Sequence, residues 1–192
     1  MENSKVDVDL SSFYRLLYPK LVVLVTCINP LQDTANIVTL AWVMPISSSP
    51  PLLLLGMAPK RYSHELIAGP KEFVVNIPTM DIIKETLFCG RRTGREHDKF
   101  KETGLTSLPA KTIRPPIIKE CVAHLECKLH HQISMGDHTL FIGEVLVAYV
   151  NKGVFPNNKF DLKKVKLIYH AGGDEFATLT PETVTPSLES QS

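Results

Sequence analysis

The chain has no apolar run near the ~18 to 20 residues that a membrane-spanning helix needs. Its longest runs, residues 21–28 and 52–57, are of strand length. It has no excess charge of either sign: 21 Lys and Arg stand against 20 Asp and Glu, a net of +1 with histidine neutral. That balance speaks against a protein that holds nucleic acid by neutralising phosphates. It speaks equally against a polybasic membrane-surface protein. None of the four cysteines (Cys27, Cys89, Cys121, Cys127) forms a C-x-x-C pair. With the mixed, charged start MENSKVDVDL in place of a secretory leader, buried free thiols and a cytoplasmic location are expected. The motifs G-x-G-x-x-G, G-x-x-x-x-G-K-[ST], G-x-S-x-G and H-E-x-x-H are all missing. The dinucleotide, P-loop, serine-hydrolase and zinc-protease readings thus lose their usual signatures.

What is present suits one globular domain: 192 residues, 44% of them hydrophobic. Residues 1–12 read as a polar N-terminal arm. Residues 180–192, rich in Pro, Ser and Thr, read as a flexible C-terminal tail. The body between, residues 13–179, reads mostly as strands. Residues 21–29 (LVVLVTCIN) are β-branched and apolar, as in a strand buried on both faces. Residues 36–43, 52–57 and 72–77 are further strand-like runs, and 44–51, with three prolines and three serines, reads as a loop. Residues 121–133 and 138–151 flank a Gly136-Asp137 turn and predict a long hairpin. Residues 166–170 and 175–179 flank Gly172-Gly173-Asp174 and predict another. Two short helices are expected, at 63–68 behind a Ser63 cap and at 81–89. There is no regular βαβ alternation, so a mainly β, antiparallel barrel or sandwich with a few short helices is favoured.

Cys121, His124, Cys127 and His130 invite a zinc reading because Cys and His are its usual ligands. Strand geometry argues against it. Ala123, Leu125, Cys127 and Leu129 then form an apolar face, and His124, Glu126, Lys128 and His130 a polar one. The two histidines share a face but lie about 20 Å apart along the strand.

Five features carry candidate chemistry. Asn36 and Trp42, the only tryptophan, bracket a strand end; they suit the edge and face of a heterocycle, or simply the core. Arg61 and Ser63 sit where a strand meets a helix, as an anion site or a helix cap. Residues 90–101 carry six basic or His side chains (Arg91, Arg92, Arg95, His97, Lys99, Lys101) against Glu96 and Asp98. They suit a phosphate or a solvated loop. His138 opens a strand after a tight turn, at a sheet rim where it reaches a ligand or solvent. Gly172 and Gly173 permit a close approach beside Phe176, which either covers a flat ligand or joins the core.

In this order, the features resemble the flavoredoxin and flavin-reductase-like family. The likeness runs from Pro19 to Leu179. It rests on residues 20–26, Asn36 with Trp42, residues 48–51, Arg61-x-Ser63, residues 73–78, Asp98-Lys99-Phe100 with Gly104-Leu105, and Gly136-Asp137-His138 with Gly143-Glu144-Val145. The resemblance implies a Greek-key split β-barrel that forms a homodimer and binds FMN without a covalent bond. It implies FMN contacts from Asn36, from Thr39, Leu40, Ala41 and Trp42, from Arg61, Ser63 and Lys99 at the phosphate, and from Phe176 over the ring. His138 matches a residue at the isoalloxazine and is the catalytic candidate. The activity implied is transfer of electrons from NADH or NADPH through FMN, with FAD as the alternative, to a free flavin, a metal complex or a redox protein. The alternatives are a non-enzymatic FMN electron carrier and a small barrel that binds no flavin. No nucleic acid, membrane or metal partner is expected.

Overall fold

The structure is a computed structural model and describes residues 5–186. Its first strands are β1 (Lys20–Leu21), β2 (Val23–Asn29), β3 (Thr34–Leu40), β4 (Val43–Ser48) and β5 (Pro51–Met57). Then come α1 (Tyr62–Ala68), β6 (Glu72–Ile77), α2 (Ile83–Arg91) and α3 (Lys99–Thr103). The short β7 (Ser107–Leu108) and β8 (Ile117–Ile118) lead to the long β9 (Ala123–Met135) and β10 (His138–Val150). The last strands are β11 (Tyr169–Gly172) and β12 (Glu175–Ala177).

Seven strands form one antiparallel sheet in the order β3-β2-β6-β9-β10-β5-β4. Its order is not that of a meander, because β6 lies between β2 and β9, and β10 lies between β9 and β5. β2 shows why a continuous apolar run belongs here. Val23, Val25 and Cys27 face the main core with Leu55, Phe73 and Phe141. Leu24 faces a second cluster with Ile37, Ile82, Cys89 and Ile118. Both faces of the strand are therefore dry, as period-2 alternation requires of such a run.

Several sequence expectations change. Residues 43–48 form strand β4 where a loop was expected; Pro45 fits because β4 is the edge strand and bulges between Pro45 and Ser47. Ser63 does not cap α1. Arg61 occupies the cap position, and Ser63 lies buried inside the helix. α2 runs through Gly90 to Arg91, preceded by a 3-10 turn at Met80–Ile82. The basic stretch is not one solvated loop, since Lys99 begins α3 and is buried. Part of the expected arm, with residues after it, forms a 3-10 helix over Leu10–Leu17 whose Tyr14 packs at the edge of Trp42. The ends of the chain, residues 1–4 and 187–192, lie outside the described residues.

The largest correction concerns β9. His124 and Glu126, expected on a polar face, are buried. The Glu126 carboxylate accepts from the backbone N–H groups of Lys111 and Thr112 at 2.7 and 2.8 Å, from Thr112 Oγ1 at 2.6 Å and from Tyr149 Oη at 2.9 Å. Burial pushes this carboxyl up, but the four hydrogen bonds outweigh it and hold it below its ordinary value. His124 Nδ1 lies 2.8 Å from Asn76 Oδ1, and burial pushes its pKa down to about 4.

Candidate functional site

The polar residues of β3 and the segments beside it are local products of the fold. β3 is an edge strand, and its end leads through Ala41 to Trp42. α1, α2 and α3 all lie against this strand. Two cavities adjoin here. The larger, about 560 Å³, is lined by Thr39, Leu40, Ala41 and Trp42, by Thr86 of α2, by His138, and by His170 and Phe176 of the C-terminal hairpin. The smaller, about 290 Å³, is lined by Asn36, Ser63, Lys99, residues 91–94, Glu96 and His97. Lys60, Arg61 and Arg91 line both.

The larger cavity has aromatic walls. His138 stacks on Trp42, with centroids 4.5 Å apart and planes 23° apart. Its Nδ1 lies 2.7 Å from the carboxylate of Asp137. One indole face is thus covered, Tyr14 packs at the edge and Lys20 Nζ lies 5.5 Å from the ring, so His138 shares the flat wall. Tyr18 meets His170 at 5.1 Å, and His170 meets Phe176 at 5.7 Å.

The smaller cavity is polar. Asn36 Nδ2 donates to Ser63 Oγ at 2.7 Å. Arg61 donates to the Gly90 carbonyl at 3.3 Å. Lys99 is more engaged than its sequence role suggests, because its ammonium donates to the carbonyls of Ile37 at 2.6 Å and Cys89 at 2.8 Å. It ties β3 to the last turn of α2, where free carbonyls attract a cation. Burial, with a lesser push from Arg61, lowers its pKa to about 8, although the Cys89 and Cys27 thiols oppose this.

Two buried polar atoms here have no partner among the described residues, Asn36 Oδ1 and Thr86 Oγ1. A buried acceptor without a donor is costly and uncommon. Gly94 explains how the chain passes over Asn36: a Cβ on Gly94 would lie 2.0 Å from Asn36 Oδ1. The arrangement offers cations in one chamber, aromatic walls in the other, and an unmet amide oxygen beside the first. Such a site suits a flat, polar-edged ring that carries a phosphate.

The structure brings all ten candidate residues onto these two cavities. Thr39, Leu40, Ala41, Trp42, His138 and Phe176 line the larger, Asn36, Ser63 and Lys99 the smaller, and Arg61 both. Tyr18, Thr86 and His170 were not singled out in the sequence. Nothing local marks them, since each reaches the site through a packing partner far along the chain.

Comparison with known proteins agrees in extent with this architecture. The family model described as the flavin reductase like domain matches residues 13–178. A protein of Archaeoglobus fulgidus is 39% identical over 156 residues, 80% of this chain and 86% of that one. The crystal structure of a flavoredoxin from Methanosarcina acetivorans superposes with a TM-score of 0.84 at 26% identity, covering 97% of each chain. An NADH-dependent FAD reductase of Streptomyces globisporus is 30% identical over 111 residues, 54% of this chain and 56% of that protein.

Proposed function

The chain belongs to the flavin reductase-like family and is a mainly β split barrel, and on that premise we propose an FMN-dependent oxidoreductase. It takes reducing equivalents from NADH or NADPH and passes them to a free flavin, a metal complex or a redox protein. The observation that carries this reading is the pair of adjoining cavities, one aromatic and one cationic, that share Lys60, Arg61 and Arg91. One cationic chamber suits the single terminal phosphate of FMN better than the longer tail of FAD.

The residues divide the task by chemistry. Lys60, Arg61 and Ser63 hold the phosphate. Asn36, bonded to Ser63 in the same chamber, offers its Oδ1 to a hydroxyl of the tail beside that phosphate. Main-chain groups of Thr39, Leu40, Ala41 and Trp42 meet the polar edge, and Phe176 covers a face. His138, held on Trp42 and tethered by Asp137, is the catalytic candidate at the reacting side of the ring. Lys99 acts by fixing β3 against α2. Bound FMN supplies the hydride-accepting chemistry, and the protein supplies binding, orientation and exclusion of water.

A second reading, a flavin electron carrier without nicotinamide activity, draws on the likeness to flavoredoxin. The visible spectrum of the purified protein with FMN tests the binding. Anaerobic mixing with NADH and NADPH then separates the readings: rapid bleaching of bound FMN supports the enzyme, and no bleaching with either donor supports the carrier. A colourless protein that fails to bind FMN overturns both.

The same reading includes a homodimer. Exposed Leu10, Phe13, Leu16 and Leu17 on the N-terminal helix, with Met44 and Ile46 on edge strand β4, support it. Four buried free cysteines fit a reducing cytoplasm. Among the described residues, no helix is long and apolar enough to cross a membrane.

A further inference from the structure

The C-terminal hairpin of β11 and β12 is a wall of the larger cavity, held at its base by Tyr169 on the main core and exposed at its turn. It belongs to a three-stranded sheet and joins the rest of that sheet only through the two-residue β1. Its turn passes through Gly172 and Gly173 at φ of 134° and 57°, where a side chain would be strained. Ala171, Gly173, Asp174 and Glu175 are exposed. Yet His170, Gly173, Asp174 and Phe176 all line the cavity.

The facing wall is α2, which contributes Thr86, Leu87, Gly90 and Arg91. Among the described residues, the hydrogen bonds between these two walls all come from Arg91. Its Nε donates to Asp174 Oδ1 at 2.7 Å, and its Nη2 donates to the same carboxylate and to the Gly173 carbonyl at 3.1 Å. Of the basic residues after it, Arg95 pairs with Glu65 and His97 with Glu102. Arg91 ends α2, so a helix packed on β3 fixes its backbone.

Both partners are more than half exposed, and such a pair contributes little to global stability. Its consequence is local, because it ties the exposed turn of the hairpin to α2 across an opening. We propose that Arg91 is a positioning residue that clamps the C-terminal hairpin over the larger cavity through Asp174, and so fixes Phe176 and His170 above the bound ring. The clamp itself is read from protein contacts alone; only the identity of the ring rests on the flavin reading.

Trp42 lines the same cavity and is the only tryptophan, so its fluorescence reports on the opening without any ligand. In flavin-free protein, Arg91→Ala and Asp174→Asn should each raise acrylamide quenching of Trp42 by about two- to five-fold, the range expected for loss of one exposed pair. Arg91→Lys should fall between, and the exchanged pair Arg91→Asp with Asp174→Arg should recover quenching near the parent value. Salt should raise quenching in the parent and leave Asp174→Asn unchanged. Melting temperatures should stay near the parent's throughout. Parent-like quenching in both single variants overturns the clamp, as does an increase that merely follows a fall in melting temperature. FMN titration of the same proteins is the second arm. Failure of the parent to bind FMN with the quenching pattern intact removes the flavin and leaves the clamp. FMN binding that is equal in parent and variants, with quenching unchanged, removes the clamp and leaves the flavin.

Discussion

Two polar clusters are buried against the same sheet, and they differ in whether their hydrogen bonds close. In the first, Glu126 on β9 accepts four hydrogen bonds and His124 pairs with Asn76. Asn76 in turn accepts from the Ile118 N–H at 3.1 Å and donates to the Leu24 carbonyl at 3.1 Å. In the second, on β3 and α1, Asn36 and Ser63 satisfy each other only in part, and Asn36 Oδ1 is left without a donor. Thr86, nearby on α2, leaves its hydroxyl unmet as well. A closed network pegs loops to a sheet, whereas an open one stores an unmet bond for a ligand to complete. If that distinction holds, damage to the first cluster costs folding, and damage to the second costs binding.

The largest expected effect is Glu126→Ala. It takes the shared acceptor away from two backbone N–H groups and two hydroxyls, a loss on the order of 3 kcal/mol in urea unfolding. The fraction that stays folded should bind FMN with parent affinity. A loss below about 1 kcal/mol would deny Glu126 its pegging role.

His124 gives the next effect, read through pH. Its pKa is about 4 in the folded chain against the ordinary 6.5. Between those values the unfolded chain takes up a proton that the folded chain refuses. Stability is therefore complete above pH 6.5 and is lost as pH falls toward 4, by about 3 kcal/mol in all. His124→Gln should flatten that slope in urea titrations at pH 7 and pH 4.5. The Glu126 carboxyl, held low, adds its own loss below about pH 4.5, so the difference between parent and variant isolates the histidine. An unchanged slope would place His124 in contact with water.

Asn36→Ala reverses the pattern. It deletes the bond to Ser63, the weaker one to the Cys27 sulfur and an unmet acceptor together, so stability should shift by no more than about 1 kcal/mol. FMN affinity should fall roughly tenfold, the value of one missing bond at a buried site. Equal losses in both measurements would erase the contrast between the clusters.

The sequence announced some of this and hid the rest, for physical reasons. β2 and β6 were legible because β-branched residues occur there without a breaker, and the long hairpin because Gly136-Asp137 leaves little choice of turn. β4 was not, because Pro45 and its serines look like a loop until an edge position removes the need for a ladder bond. His124 and Glu126 looked wet because alternation takes water as the partner of a polar face. The true partners of Glu126 lie in a loop 14 and 15 residues upstream and across the hairpin at Tyr149. The candidate site residues were legible as a set through family likeness, whereas their division between two chambers depends on packing. Arg91 and Asp174, 83 residues apart, carry no local sign of each other.

Lys99 sharpens the comparison most finely, because it sits in the open cluster but is bonded like a member of the closed one. Its pKa of about 8 lies below the ordinary 10.5. Between those values the unfolded chain holds a proton that the folded chain has released, so stability rises with pH. The thiols act in the opposite sense. Burial raises Cys27 to about 11 and Cys89 to about 12, so above their ordinary 9.0 the unfolded chain gives up protons that the folded chain keeps. The clean window is therefore pH 8 to 9, where Lys99 should add about 1 kcal/mol of stability. Lys99→Met should abolish that rise. It should also leave the salt dependence of FMN affinity unchanged, whereas Arg61→Ala should weaken it, because only a cation that meets the phosphate releases counterions. A shallower salt dependence in Lys99→Met would move Lys99 from the clamp between β3 and α2 to the phosphate itself.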